Sequence, residues 1–304
     1  MTQTHRETVW LAIALSLLSL MLFDLMGLVI KFLTPRYGAA ELSAYRNLIG
    51  LIPSLIALWS SRAWHAAGRR WRIRQWPIGC LRGVCVTFAQ FFLYVSLGHM
   101  AFATATTITY SNALFMTAFA VPILGEKVGP VRWAAVVLGF AGVLWIMKPG
   151  SESFTIYAAA PLASAMLYAL SGVIARRIDS DVPSPLVNLY SSGTAMLGAI
   201  LLALVTGGFG PIQSLGDLGW IVAMGTFGGL GVLVMVISFR MADQSTLAPF
   251  SYFGIPFAFS FGWLFFGEAP FADLFPGALL IAGGGLLVIW RERVMRRRRI
   301  AAER

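Results

Sequence analysis

Residues 103–147 open with Ala-Thr-Ala-Thr-Thr-Ile-Thr-Tyr-Ser-Asn (103–112), run apolar to Gly125-Glu126, and run apolar again to Met147. A weaker copy occupies 245–290. It passes from Ser245 to Gly254, through an apolar stretch to Gly267-Glu268, and through another to Trp290. Setting Glu126 on Glu268 fixes an offset of 142 residues. At that offset Tyr110 meets Tyr252, Gly125 meets Gly267 and Gly142 meets Gly284. Four identities alone are weak in so apolar a chain. Joined to the same order of apolar runs, they indicate an internal duplication.

Working outward, the whole chain shares this character. It is 58% hydrophobic and 12% charged, where a soluble domain carries about 25% charged residues. A membrane-spanning helix needs ~20 mostly apolar residues. Ten such segments are predicted, near 9–31, 42–60, 77–97, 102–124, 131–147, 155–175, 185–206, 217–238, 246–266 and 270–290. They use most of the 304 residues and leave no room for a soluble domain. Barrel strands would alternate in polarity, and these runs do not, so helices are the expected solution. The first segment is too long for a signal-peptide core and contains Asp24, so it is expected to be retained. Cys80 and Cys85 lie on different faces of one segment and are not expected to form a disulfide.

The net charge of +10 reads first as topology. With the N-terminus inside, 18 of the 23 Lys and Arg fall on the inner side and three (Lys31, Arg36, Lys148) on the outer. That bias predicts a cytoplasmic N-terminus and C-terminus and an even number of spans. The arginine-rich tail is expected to contact anionic lipid rather than nucleic acid. The only sensible midpoint is the linker at 150–154, giving two units, 1–150 and 151–304, of five spans each. Five is odd, so the units are inverted in the membrane. The expected architecture is therefore all-α, with ten transmembrane helices as two inverted five-helix repeats around a central cavity.

Polar residues within apolar segments mark candidate sites, because lipid exposure is costly to them. Asp24 lies two turns before Lys31 on the same face, with Gly27 between. Lys31 is near enough to the outer surface to snorkel; Asp24 must face protein or water. Arg46 can snorkel, pair with Glu41 or point into a cavity. Gln90 and Tyr94 share a polar face with Thr87, and Arg82 near the inner end reads as a snorkelling or structural group. The threonines of 103–112 can bond back to their own helix, whereas Tyr110 and Asn112 are harder to hide. Tyr168, Asn188 and Tyr252 complete the candidate set from the second half. Pro249, Gly254 and Pro256 predict a broken or bent ninth helix. Glu126 is read as electrostatically suited to the start of segment five. The glycines of segments eight and ten are read as packing residues.

These features together resemble the drug/metabolite transporter superfamily, specifically its EamA-type ten-span members. The resemblance covers nearly the whole chain. It is carried by Lys31, Arg46, Arg82, the 103–112 stretch, both Gly-Glu pairs and the two-times-five layout. The first half looks most like S-adenosylmethionine and riboflavin carriers. Those often have an acidic residue one turn nearer Lys31, where this chain has Gly27 and Asp24 stands in. The resemblance implies a cavity between the halves for Arg46, Gln90, Tyr94, Tyr110, Tyr168 and Tyr252.

The expected function is a secondary transporter in the cytoplasmic (inner) membrane, moving a small polar metabolite (amino acid, nucleoside-like or vitamin-like) by alternating access. Substrate contacts are assigned to Arg46, Gln90, Tyr94, Tyr110, Asn112, Tyr168, Asn188 and Tyr252, and coupling or gating to Asp24, Lys31 and Arg82. Protons or a counter-substrate are candidate co-substrates. No cofactor or metal is expected: His5, His65 and His99 are scattered, and no phosphate loop or nucleophile elbow occurs. The alternatives are a membrane-embedded enzyme, or a channel or scaffold without carrier activity.

Overall fold

The computed structural model describes residues 3–66, 68–69, 71–126, 128–148, 156–179, 182–241, 247–268 and 270–302. Among them there are helices and turns but no strands. The linker at 150–154, Ser245 and Lys127 lie outside the described residues, as do the side chains of Arg240 and of the tail arginines 296–299.

Among the described residues thirteen α-helices are present, of which the third and twelfth are short and the rest make the ten crossings. They are α1 (Gln3–Leu33), α2 (Ala39–Trp59), α3 (Arg62–Ala66), α4 (Trp76–His99), α5 (Phe102–Thr109), α6 (Asn112–Leu124) and α7 (Pro130–Met147). After a short 3-10 turn come α8 (Ala159–Ala175), α9 (Ser184–Thr206) and α10 (Leu215–Met241). A 3-10 segment, Ala248–Phe253, leads into α11 (Gly254–Phe266), followed by α12 (Phe271–Leu274) and α13 (Gly277–Ala302). Eight spans are long and apolar enough to cross a membrane, and two shorter apolar stretches, Phe250–Phe266 and Gly277–Arg291, bring the crossings to ten.

The expected break in span nine is the 3-10 segment over Pro249 and Tyr252. Span four is broken too, between α5 and α6 at Tyr110-Ser111, the position equivalent to Tyr252. Its sequence carries no proline or glycine there and reads as continuous. Span ten also differs from its expected start at 270. Pro276 holds Phe275 extended (ψ 140), so the long helix begins at Gly277.

The duplication is visible in the backbone. Gly125 ends α6 at φ 69, and Gly267 ends α11 at φ 64. After each, the glutamate N–H turns back to a carbonyl six residues earlier, Glu126 to Ala120 (3.3 Å) and Glu268 to Gly262 (3.0 Å). Left-handed backbone favours glycine. Glu126 therefore belongs to the end of α6; α7 begins separately after Gly129.

Helix neighbours are two-fold symmetric. α1 packs along α10 as α8 packs along α4, and α2 packs on α10 as α9 packs on α4. α6 meets α8 as α11 meets α1. The pairs α2 with α9, α5 with α11 and α7 with α13 are related to themselves. Exchanging each span for the one five later thus leaves these main neighbours unchanged. Successive crossings are antiparallel, so that exchange turns the molecule over, and the repeats are inverted. One bundle holds α1, α2, α10 and α11; the other holds α4, α5, α6, α8 and α9. At the self-related α7–α13 crossing, a Cβ on Gly142 would meet Gly277 O at 2.6 Å, and one on Gly284 would meet Ala135 O at 2.6 Å. Backbones this close admit only glycine. The α10 glycines pack as expected, Gly225 on Ile49 and Gly229 on Pro53.

Candidate functional site

Between the bundles lies a cavity of about 480 Å³, within the 300–1,000 Å³ range of small-molecule sites. Its far end, on the face away from the N-terminus, is plugged. Ile30, Leu33, Leu42, Tyr94, Leu97 and Phe102 pack there at 1% exposure or less. Gly27 lets the Phe102 ring close over α1, since a Cβ there would sit 3.0 Å from the ring. Toward the N-terminal face the lining residues Arg82, Asn112, Asn188 and Ser192 stay partly exposed. The cavity is thus closed at the distal face and reached from the basic one.

The wall is chemically divided. Leu20, Phe23 and Met26 of α1 and Val232 and Met235 of α10 form an apolar side. α2, α4, α8 and α9 supply most of the polar side. Arg46 faces inward and donates from Nη1 to Asn47 Oδ1 at 2.9 Å. Glu41, its alternative partner, instead accepts from Tyr45 Oη and from the Gly210 N–H. Asn47 donates to Gln90 Oε1 at 2.7 Å, Ser43 donates to the same oxygen at 3.0 Å, and Gln90 Nε2 returns to Asn47 Oδ1 at 3.3 Å. Gln90 therefore lines the cavity but spends its amide on holding Asn47, which in turn orients Arg46. Asn47 sits beside Arg46 in sequence, yet only the helix pairing of α2 with α4 reveals its role.

Tyr94 is 1% exposed with an unpartnered hydroxyl, and it and Tyr168 lie within electrostatic reach of Arg46. Arg82 also faces the cavity and donates to Ser191 Oγ at 3.2 Å, so it does not snorkel. Asp24 is 4% exposed, lines the cavity near Tyr110 and leaves Oδ2 unpartnered. Tyr110 and Asn112 line it as well. The Tyr110 hydroxyl lies where a side chain on Gly254 would be. Thr106 and Thr109 bond back to Phe102 O and Ala105 O. Asn188 lines the cavity and donates to Ser54 Oγ at 3.2 Å.

Two expected site residues lie elsewhere. Tyr252 is packed in the cluster around Val143 and Ile281, with its hydroxyl where a side chain on Gly285 would be. It is the sequence equivalent of Tyr110, but it does not line the cavity. Lys31 sits at the distal plug and does not snorkel. Its Nζ donates to Glu268 Oε1 at 2.5 Å and to Met100 O at 2.7 Å, while the Phe102 N–H donates to Glu268 Oε2 at 2.8 Å. Lys31 and Glu268 belong to one bundle; Met100 and Phe102 lead into α5 of the other. The ion pair thus clasps the two bundles at the distal face. Beside it, buried Asp217 accepts from Arg36 (2.5 Å) and Tyr37 (3.0 Å). On the basic face Arg176 pairs with Glu126, the equivalent of Glu268. The sequence marks both Gly-Glu pairs but not their cations. Among the described residues no cluster of His, Cys, Asp and Glu could hold a metal.

The chain matches the model of the EamA-like transporter family twice, over residues 10–148 and 155–290. It is 28% identical over 278 residues to the pseudopaline exporter CntI of Pseudomonas aeruginosa, covering 91% of this chain and 93% of that one. It is 31% identical over 197 residues to a riboflavin transporter of Rhizobium johnstonii, covering 64% and 63%. An S-adenosylmethionine uptake transporter of Rickettsia bellii is 24% identical over 213 residues, covering 70% and 72%. A solved crystal structure with TM-score 0.64 covers 93% of this chain and 98% of its own at 21% identity, and supports the fold alone. With both halves matched and the two-fold arrangement in place, the chain belongs to the EamA-like transporter family.

Proposed function

We propose that the protein is a secondary carrier that moves a small polar metabolite across the cytoplasmic membrane by alternating access. The observation that carries this reading is a mid-bundle cavity, lined by groups from both inverted repeats and closed at one end only. Inverted repeats supply two related shapes, so the closure on one face has a counterpart for the other. The arginine bias supports a cytoplasmic N-terminal face and C-terminus. The cavity is then inward-facing, with Lys31 and Glu268 holding the outer side shut. Relatives that carry pseudopaline, riboflavin and S-adenosylmethionine support a solute of metabolite size. Asp24 is the candidate proton site, and the basic tail the candidate contact for anionic lipid.

Counterflow in proteoliposomes tests the carrier reading. Vesicles loaded with excess unlabelled riboflavin, S-adenosylmethionine or members of a metabolite panel should accumulate labelled solute saturably and transiently. Linear, unsaturable flux without trans-stimulation would mark a channel instead.

A further inference from the structure

We propose that Arg46, with the hydroxyls of Tyr94 and Tyr168, forms an oxyanion subsite in the cavity, so that the transported solute carries a carboxylate or phosphate group. The inference rests on reading the cavity as the substrate site. Three observations support it. First, charge balance is incomplete. Arg46 and Arg82 both line the cavity, Asp24 is the one carboxylate among the described lining residues, and neither arginine forms an ion pair with a described residue. Both arginines are only partly exposed, and a guanidinium held in a partly desolvated cavity without a counter-charge is favoured by an anionic ligand that supplies one. Second, the donors are unspent. Arg46 Nη1 is held by Asn47, but Arg46 Nε and the Tyr94 hydroxyl are buried without partners. The Ser43–Asn47–Gln90 network fixes the guanidinium without neutralising it, because each of its members is uncharged. Third, Gly228 makes room on the α10 side: a Cβ there would come within 3.0 Å of Arg46 Nε. With its Nε side laid against Gly228, the planar guanidinium can offer a charge-assisted contact to a carboxylate or phosphate only from its cavity-facing side. The apolar wall from α1 and α10 suits a carbon skeleton or ring on the same molecule. Arg82, nearer the open end, adds positive charge along the entry path.

The test uses acetate and inorganic phosphate as probes on the purified full-length protein at constant ionic strength. Apparent melting temperature is read against oxyanion concentration, with chloride as reference. Either probe should raise it in the native protein, and acetate against phosphate identifies which group the subsite prefers. Arg46→Gln should weaken the apparent affinity about tenfold or more, as loss of a charge-assisted contact implies. Arg46→Lys should retain part of the response. Tyr94→Phe should weaken it less than Arg46→Gln, and Arg62→Gln, exposed at the start of α3, should leave it unchanged. No response from the native protein, or an equal response in Arg46→Gln, overturns the subsite. Solute counterflow with no Arg46-dependent oxyanion effect sinks the subsite alone. An Arg46-dependent effect without counterflow of any solute leaves the subsite standing and removes the carrier reading.

Discussion

Releasing the distal clasp should open the cavity to the distal face. Two hydrogen bonds cross between the bundles there, Lys31 Nζ to Met100 O and Phe102 N–H to Glu268 Oε2. Each involves a charged group, and such bonds contribute about 1.5–3 kcal/mol. The Lys31 side chain is 12% exposed and that of Glu268 27%, so solvent weakens the pair and the lower figure applies. The two together then favour the closed form by about 3 kcal/mol, or roughly two orders of magnitude in the closed-to-open ratio. Lys31→Gln or Glu268→Gln should shift that ratio about tenfold, and the double variant about a hundredfold. The reporter is Ala105→Cys, fully buried in the plug beneath the clasp, with Cys80 and Cys85 replaced by alanine. A membrane-impermeant maleimide applied from the distal side should label it slowly in the parent and much faster in the clasp variants. Equal labelling rates in parent and double variant would refute the clasp.

Further outcomes follow from the packing. Gly142→Ala and Gly284→Ala each drive a methyl group into backbone at 2.6 Å and should destabilise by about 1–3 kcal/mol, whereas Gly283→Ala, which meets nothing within 4 Å, should be tolerated in thermal unfolding. Tyr252→Phe should leave substrate affinity unchanged because its hydroxyl faces α13, while Tyr110→Ala should lower it; a binding titration that ranks them the other way contradicts the cavity wall described here. If protons are carried on Asp24, Asp24→Asn should lose pH-gradient-driven uptake while keeping counterflow; full gradient-driven uptake would assign the proton elsewhere.

Much of this was legible in the residues. Apolar runs of the right length are a strong signal, because lipid penalises the alternatives to helices there. The repeat could be found from Gly125 and Gly267 because a left-handed helix end demands the same residue in both copies. The site was legible to the level of which polar groups are too costly to face lipid, hence Asp24, Arg46, Tyr94 and Asn112. What each touches was not, because pairing between helices far apart in the chain decides it. Tyr252 aligns with Tyr110 yet packs against α13 at Gly285 instead of lining the cavity, a difference between the two repeats that their aligned residues do not show. Lys31 looked like a snorkelling residue because nothing near it in sequence announces Glu268, 237 residues away. Gln90 looked like a ligand group because its partners Asn47 and Ser43 sit on another helix.

The central claim, two inverted bundles that rock around one cavity, is tested most directly by spin-label distances across both faces in proteoliposomes. One pair is Phe32→Cys with His99→Cys, on the distal ends of α1 and α4; the other is Leu11→Cys with Asp179→Cys, toward the basic face. When the clasp is released by Lys31→Gln with Glu268→Gln, the distal distances should lengthen as the basic ones shorten. Distances that widen together at both faces, or that stay fixed while solute is being exchanged, would contradict it.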